Sequence, residues 1–464
     1  MMSRTRKIII KLAIFLVFIL ALLGATTNVF DASKPEIIAE NIIYSNSKDP
    51  ILIDLKDKGS GIKNVKISLK QDNNNTSTTL IDDKFDNKNE LSLQVNLPKP
   101  AYKEKIKSYI LDIYVKDSSW WNFGNVAKKQ IKLIIDDMSP KINILSNSYQ
   151  IEQGGAASVV FSVDDANLDE VFIQTNKDKI FKVTPFVKQG FYTSLIAWDA
   201  KEEEFRAFVV AKDKAGNVSK ERIKYYLLNR KYRVSKINLS DRFLDGKIKD
   251  LAELYGPKDK ELTRFEQFKF VNETLRISNE DLIHNFTTNV PEDIIEDFKI
   301  NLFLPLKNGK KVADFADHRY YYYDGKEVSQ SYHMGLDLAS IARAPIISNN
   351  SGKVVFADEN GIYGLNLILY HGFGLYSLYG HCTDKYTEKD EEVSLNSTIA
   401  TTGVSGLALG DHLHFGVLVQ GVEVRPEQWQ DRRWIENNIY KVLNDAKKTI
   451  LGTNNETIDL SKSR

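Results

Sequence analysis

The sequence of 464 residues is poor in several features that would narrow its function at once. It has a single cysteine, Cys382, so no disulfide can form within the chain and its stability has to come from packing. Its 63 lysines and arginines almost balance its 62 aspartates and glutamates, which leaves a formal charge of +1. Because a nucleic-acid-binding surface needs an excess of positive charge, we exclude nucleic acid as a partner.

A basic flank followed by an apolar run lies near the N-terminus. The run over residues 12–25 has the length of a signal-peptide core, whereas counting from residue 8 gives enough residues for a thin membrane span. Leu23 occupies a position where signal cleavage prefers a small residue, so we favour an uncleaved anchor over residues 8–25. The positive flank then stays inside, and we expect the rest of the chain in the periplasm or cell envelope, tethered to the inner membrane.

An internal repeat organises the next two hundred residues. The segment KDSSWWNFGNVAKKQIK at 116–132 is echoed by KDKAGNVSKERIK at 212–224, and alternating apolar strands precede each copy. We therefore predict two β-sandwiches that resemble the immunoglobulin-like modules of bacterial surface proteins. The acidic turns around Asp57 and at Asp164 and Asp165 offer the clustered oxygens that calcium prefers, but we interpret them as solvated turns.

Helical periodicity replaces the alternation after about residue 231. Apolar residues that include Phe243, Ile248 and Phe268 recur at helical intervals in two groups, which Gly256 and Pro257 separate. Ser278 is a predicted N-cap of a further short helix, in which His284 has a structural role. Strands return after about residue 301. The fold class is thus predicted as mainly β, with the divisions 1–33 signal anchor or signal peptide, 34–136 and 137–230 Ig-like sandwiches, 231–300 helical connector, 301–435 antiparallel β-sheet metallopeptidase domain, and 436–464 C-terminal helix and polar tail.

Five of the seven histidines lie between His333 and His414. The segment HMGLD places His333 four residues before Asp337, and its glycine favours a loop that runs into a strand. The segment GDHLHFG places His412 and His414 two residues apart, so that in a strand both side chains project from one face. Zinc accepts histidine nitrogen and carboxylate oxygen at about 2.0 to 2.2 Å. Taken alone, the HMGLD segment is equally compatible with a surface ion pair between His333 and Asp337. The HLH segment alone is equally compatible with a surface strand that carries polar side chains on one face.

The segments HMGLD, HGFGLYSLYGH and TTGVSGLALGDHLHFG, in this order, resemble the motifs of the lysostaphin-type (LytM-type) zinc metallopeptidases, which cleave peptide cross-links of bacterial cell walls. The resemblance covers roughly residues 301 to 430. It implies that His333, Asp337 and His414 bind one Zn²⁺ per chain and leave a fourth position for water. It also implies that one of the two unligated histidines, His381 or His412, takes the proton of the attacking water and that both stabilise the oxyanion; the sequence leaves open which of them dominates.

The sequence departs from the family pattern at two positions. Gly416 follows HLHF where the family commonly has an acidic residue, so the support for the metal ligands must come from elsewhere. Cys382 stands where leucine is usual. A thiolate there would compete for zinc, but a strand neighbour of His381 faces the opposite side, so we interpret Cys382 as buried and inert. His371 and His318 are interpreted as structural.

These motifs lead us to expect a zinc endopeptidase that hydrolyses peptide bonds of peptidoglycan stem peptides or cross-links during cell-wall remodelling. The alternative is a catalytically degenerate member of the family that activates cell-wall amidases or serves as an envelope scaffold. Because all five key positions are filled, we favour the enzyme. The sequence leaves open which bond is cleaved, what the two modules do, and whether the connector covers the groove.

Overall fold

The computed structural model describes residues 6, 8–17, 28–71, 77–98 and 107–452. Residues 8–17 are helical, and residues 18–25 of the predicted anchor lie outside the described part of the chain. Among the described residues, no helix is both long enough and apolar enough to cross a membrane. The chain divides into two compact units, one comprising Met1–Pro140, Asp165–Glu170 and Lys212–Ser219 and the other Lys141–Asp164, Val171–Ala211 and Lys220–Arg464.

The described strands of the first unit form two sheets that share one core. Ile53 and Leu55 are buried and Leu52 is exposed, so alternate residues of the strand turn to opposite sides. Ile53 belongs to the same apolar cluster as Ile67 of the other sheet, which makes the pair of sheets a β-sandwich. The sheets have the orders β1-β3-β6 and β2-β8-β7-β4-β5, from β1 Glu36–Ile38, β2 Ile42–Ser45, β3 Ile51–Lys56, β4 Ile62–Gln71, β5 Ser77–Lys88, β6 Glu90–Val95, β7 Ser108–Asp117 and β8 Val126–Ile135.

The prediction of a solvated turn at Asp57 is wrong. Asp57 is 4% exposed, and its Oδ1 accepts hydrogen bonds from the backbone N–H groups of Gly59 at 2.9 Å and Gly61 at 2.8 Å. The turn therefore folds over the carboxylate. Asp164, by contrast, is exposed as expected.

The second copy of the repeat also forms two principal sheets. Val159, Val160 and Phe161 are consecutive and fully buried, so this part of the strand is covered on both faces. The orders are β14-β15-β11-β9 and β13-β12-β16-β17, with β10 paired to β18, from β9 Lys141–Asn147, β10 Gln150–Glu152, β11 Ala156–Asp164, β12 Leu168–Thr175, β13 Ile180–Lys182, β14 Thr184–Pro185, β15 Phe191–Ala197, β16 Ala207–Asp213, β17 Val218–Ile223 and β18 Tyr226–Leu228.

Helices follow β19 (Val234–Asn238), as the periodicity predicts. A capping box starts the second group: Thr263 Oγ1 accepts from the backbone of Glu266, whose carboxylate accepts from the backbone of Thr263. Ser278 lies inside a helix, so its prediction as an N-cap is wrong. The helical segments are Asp241–Phe243, Leu244–Ile248, Lys249–Tyr255, Arg264–Lys269, Phe270–Leu275 and Arg276–Phe286, of which Leu244–Ile248 and Phe270–Leu275 are π-helical.

The C-terminal region is built on an antiparallel sheet with the order β20-β23-β30-β27-β26-β25-β28, with β31 paired to β30. Ile248 and Phe268 of the helices share a core with Ile368 and Leu378 of this sheet, so the predicted connector covers one face of it. The strands are β20 Lys310–Ala313, β21 Asp317–Tyr323, β22 Lys326–His333, β23 Leu336–Ala339, β24 Pro345–Ile347, β25 Gly352–Glu359, β26 Leu365–Tyr370, β27 Leu375–Cys382, β28 Glu392–Val393, β29 Thr398–Thr401, β30 Leu413–Val419 and β31 Val422–Val424. The mainly β fold class is confirmed.

The second sandwich packs on the C-terminal region through buried polar contacts within the second unit. Gln420 Nε2 donates to the carbonyl oxygens of Lys182 at 3.0 Å and Leu195 at 3.1 Å. The side chains of Ser148 and Ser158 both donate to the carbonyl of Asn438 in the C-terminal helical region. That region comprises Pro426–Gln430, Arg432–Ile435, Glu436–Tyr440 and Lys441–Leu451. Since buried hydrogen bonds are costly to break, this sandwich is part of the body that carries the histidines.

An ion pair between helix and sheet predicts a pH-dependent stability. His284 Nε2 lies 2.9 Å from Glu423 Oε1. Burial disfavours the charged form of each group, yet the mutual attraction raises the pKa of His284 and lowers that of Glu423. Lys179 and Glu280 also act on His284. The contribution of His284 is complete below the ordinary histidine pKa of about 6.5 and is lost as the pH rises through the raised value.

We therefore expect His284→Gln to lower the melting temperature more at pH 6 than at pH 9. Thermal unfolding of both proteins across this range measures the difference, and Glu423→Gln should reproduce it. A loss of melting temperature that is the same at every pH would show that packing, and not the ion pair, explains the effect.

Candidate metal centre

Three side chains converge where β22, β23 and β30 meet. His333 ends β22, and Asp337 lies in β23 after a two-residue turn. β23 pairs antiparallel with β30 so that Asp337 stands directly opposite His414. Gly335 in the turn makes room for the imidazole, because a Cβ atom at this position would lie 2.6 Å from His414 Nε2. The strand register therefore assembles the three groups.

The distances between the three facing atoms are nearly equal. His333 Nε2 lies 2.9 Å from Asp337 Oδ1 and 3.0 Å from His414 Nδ1, and His414 Nδ1 lies 3.0 Å from Asp337 Oδ1. The centre of such a triangle is about 1.7 Å from each corner, so an ion slightly above its plane meets all three atoms at the about 2.0 to 2.2 Å typical of zinc. The two nitrogens and one carboxylate oxygen therefore fit a single Zn²⁺.

Burial and hydrogen bonding set the protonation of these groups. Although burial opposes its ionisation, the charge and hydrogen bonds of His333 and His414 hold the pKa of Asp337 well below its ordinary value. Burial lowers the pKa of His414 to about 4. The Nδ1–H of His333 donates to the carbonyl of Asp314 at 2.8 Å, which turns Nε2 towards the other two groups. The site thus presents a carboxylate beside two imidazoles, and a metal ion binds to those imidazoles in their neutral form.

The other two histidines line the same cavity. The ring centroids of His381 and His412 are 4.8 Å apart, and His412 Nε2 lies 3.7 Å from Asp337 Oδ1. Each Nδ1–H donates to a backbone carbonyl: that of Ser405 for His381 at 2.9 Å and that of Gly410 for His412 at 2.7 Å. Both Nε2 atoms are therefore bare in the neutral ring. Burial lowers the pKa of His381 to about 3.

The backbone of His381 is strained. Its φ of +62° lies in the left-handed region, which costs a residue other than glycine on the order of 1–3 kcal/mol. Cys382, next in sequence, is fully buried, and burial raises the pKa of its thiol to about 12, so it stays protonated. His371 is held by the carbonyl of Ser351 and the hydroxyl of Ser377. These environments agree with the interpretations of Cys382 and His371 made from the sequence.

Backbone carbonyls provide the support that Gly416 cannot. The carbonyls of Asp314, Ser405 and Gly410 fix the ring orientation of one histidine each. Because every residue has a carbonyl group, no residue type in the sequence marks these partners. His318 lies apart, with Nε2 2.8 Å from Gln330 Oε1.

A cavity of about 310 Å³ opens beside the five side chains. Its apolar wall includes Ile237, Leu239 and Phe243, which belong to the predicted connector, and two guanidinium groups, Arg276 and Arg319, also face it. The sequence predicts a separate helical connector and gives no indication that this segment lines the site. The segment forms a wall of the site, and the cavity between that wall and the histidines stays open.

The fold thus brings two histidines and one aspartate together where they could bind a single metal ion. Residues 331–426 match Peptidase family M23. The C-terminal region is therefore a peptidase M23 domain of the LytM/lysostaphin type, which confirms the resemblance stated from the motifs.

Similarity to characterised proteins extends over part of the chain. The peptidoglycan DD-endopeptidase ShyB of Vibrio cholerae is 33% identical over 88 residues, 19% of this chain and 21% of that protein. The murein hydrolase activator NlpD of Salmonella dublin is 29% identical over 117 residues, 24% of this chain and 30% of that protein. The chain thus spans between a fifth and a third of the length of these relatives. The catalytic domain of lysostaphin from Staphylococcus simulans is 22% identical with a TM-score of 0.23, covering 26% of this chain and 92% of that one.

Proposed function

We propose that the protein is a zinc-dependent endopeptidase that hydrolyses peptide bonds of peptidoglycan stem peptides or cross-links during cell-wall remodelling. The observation that carries this proposal is the triangle of His333, Asp337 and His414 with His381 and His412 beside it in one cavity. The match to Peptidase family M23 supports it, as does the similarity to ShyB, which is named as a peptidoglycan DD-endopeptidase.

His333, Asp337 and His414 would hold the metal ion. When bound with one position open, zinc lowers the pKa of water towards 7 and polarises a carbonyl group. His412 takes up the proton of the attacking water at Nε2, because its Nδ1 is committed to Gly410. Once protonated there, His412 donates to the developing oxyanion, and the ring of His381 lies beside it at a centroid distance of 4.8 Å.

The cavity suits a short peptide. The apolar side chains of Ile237, Leu239 and Phe243 remove water from one side of the bound chain. Arg276 and Arg319 also line the cavity, where Arg276 donates to Asn272 and Arg319 pairs with Asp317. Their remaining N–H donors suit a carboxylate, a group that peptidoglycan peptides carry. A substrate held in this way lies over the two unligated histidines.

A second candidate function is that of an activator of cell-wall amidases, which the similarity to NlpD favours. An activator needs no metal and no general base. All five positions keep their side chains here, and their ring nitrogens are oriented by dedicated hydrogen bonds, which supports the enzyme. For either function we propose a place in the cell envelope, with residues 8–25 as an anchor in the inner membrane.

Digestion of purified peptidoglycan tests the proposal. We expect the zinc-loaded full chain, solubilised in detergent, to release muropeptides whose masses show a cleaved peptide bond. Removal of zinc with a chelator should abolish the release, and added zinc should restore it.

The same digestion with an added cell-wall amidase separates the two candidate functions. An activator would release products only when the amidase is present, and those products would be cleaved between glycan and peptide. That result, or equal release with and without zinc, would contradict the proposal.

A further inference from the structure

A second cluster of metal-binding groups lies in the first unit. One carboxylate oxygen each from Asp31, Asp57 and Asp117 lie within 4.8 Å of one another. Asp117 is 1% exposed and Asp57 4% exposed, whereas Asp31 is partly exposed. In the described part of the chain, no lysine, arginine or histidine nitrogen lies within 4.0 Å of these carboxylates. Three carboxylates are therefore close together, and no cationic side chain of the described residues pairs with them.

One oxygen of the cluster has no hydrogen-bond partner. Oδ1 of Asp57 accepts two backbone N–H bonds, but the buried Oδ2 accepts none from the described residues. The hydroxyl oxygen of Ser60, in the same turn, is also buried without a described partner. A buried carboxylate oxygen without a donor is rare in folded proteins and indicates a missing partner. A cation at this place would satisfy the oxygen and also pair with the two other carboxylates.

The second copy of the repeat contains a turn with the same hydrogen bonds between an asparagine and an aspartate. In the first copy, Asn125 donates from its backbone to Asp117 Oδ1 at 2.7 Å and from its side chain to Asp117 Oδ2 at 2.7 Å. Asn217 donates in the same way to Asp213 Oδ1 and Oδ2, both at 2.8 Å. The two turns are therefore structural equivalents, although their sequences differ in length.

The two copies differ in the group that lies next to the carboxylate of Asp31 in the first copy and of Asp136 in the second. The side chains of Asn125 and Asn217 also donate to the carbonyls of Asp31 and Asp136, which makes these two aspartates equivalent. In the second copy Asn167 Nδ2 donates to the Asp136 carboxylate at 3.0 Å. In the first copy Gly59 takes the place of Asn167, two residues after the aspartate of the turn.

Gly59 leaves no room for such an amide. A Cβ atom at Gly59 would lie 1.8 Å from Asp31 Oδ2, so any side chain there would collide with the carboxylate. The second copy thus satisfies the Asp136 carboxylate with an amide. In the first copy the carboxylate of Asp57 lies beside Asp31 and Asp117, whereas the described residues show no such cluster at the corresponding Asp165.

We infer that Asp31, Asp57 and Asp117 bind a divalent cation, and that this cation is Ca²⁺. The donors are all hard oxygens, as calcium requires. Mg²⁺ demands near-ideal octahedral geometry and usually keeps several waters, whereas Ca²⁺ accepts a set of protein carboxylates in a flexible geometry. Three carboxylates from separate segments, two of them buried, therefore favour calcium. The ion joins the segment before β1 to the β3–β4 and β7–β8 turns, so it stabilises this end of the first sandwich.

Calcium binding to the zinc-loaded full chain, stripped of other metals, tests the inference. We expect titration with CaCl₂ to show one site at millimolar or lower concentration, the range of extracellular calcium modules. Asp57→Asn keeps the volume and the Oδ1 acceptor but removes the charge, and it should weaken binding at least about 10-fold. Asp165→Asn is the matched control, because Asp165 Oδ1 accepts from Asn167 as Asp57 Oδ1 does from Gly59. It should bind as the wild type does.

Thermal unfolding distinguishes a cation site from a structural role of the aspartate. Ca²⁺ should raise the melting temperature of the wild type and of Asp165→Asn but not that of Asp57→Asn. Without Ca²⁺, Asp57→Asn should melt no lower than the wild type, because it removes a repulsive buried charge. If Asp57→Asn does not fold, Asp31→Asn at the partly exposed position replaces it. An absence of calcium binding at millimolar concentration, or equal binding by wild type and variant, would overturn the inference.

Discussion

Replacing His414 by alanine should remove zinc and hydrolysis together. His414 Nδ1 is one of three atoms that lie about 3 Å apart around the proposed ion, and the variant keeps only His333 and Asp337. Loss of a partner outside the ligand set typically costs 10–100-fold in affinity, so loss of a ligand should cost more than about 100-fold. After dialysis, elemental analysis should find zinc near background, and muropeptide release should fall to the level without enzyme.

His318→Ala is the control for this experiment. His318 lies outside the cavity and is hydrogen-bonded to Gln330, so its loss should change neither zinc content nor rate. A melting curve of His414→Ala in the metal-free state separates loss of the ligand from loss of the fold. If His414→Ala kept one zinc per chain, His414 would not be a ligand and the division of roles among the histidines would be wrong.

The candidate ligands could be predicted from the sequence because the motifs fix residue types and spacing. The sequence could not, however, predict how these residues come together in space. Asp337 and His414 are 77 residues apart, and they meet because β23 and β30 pair in one particular register. A shift of one residue would turn His414 to the opposite face of the sheet. The alternation in HLH predicts a shared face, but the partner strand is set by tertiary packing.

The helical segment shows a similar limit. Periodicity predicts that a helix has an apolar face, but it does not tell which surface that face covers. Ile248 and Phe268 are buried in the core shared with the sheet, and Phe243, predicted with them, packs at the edge of that core and also lines the cavity. The acidic turn at Asp57 was misjudged because an aspartate in a turn is usually solvated. Only the folded chain brings Asp31 and Asp117 over it.

Replacing His412 by alanine should separate catalysis from metal binding. His412 Nε2 lies 3.7 Å from Asp337 Oδ1, farther than the atoms of the triangle, so the variant should keep its zinc. Loss of a general base typically lowers the rate by about 10²–10⁴-fold. We therefore expect unchanged zinc content and a fall in kcat of that size, with little change in KM, measured on a defined peptidoglycan peptide.

Added imidazole sharpens this test, because the side chain of His412 is 14% exposed and its removal leaves a gap that solvent can reach. Imidazole should restore part of the activity of His412→Ala. His381 is 8% exposed as a residue and its ring is held deeper by Ser405, so His381→Ala should lose rate without such rescue. Equal loss of zinc in His412→Ala and His414→Ala would contradict the separation, since it would mean that both histidines bind the ion and that neither is left to accept a proton.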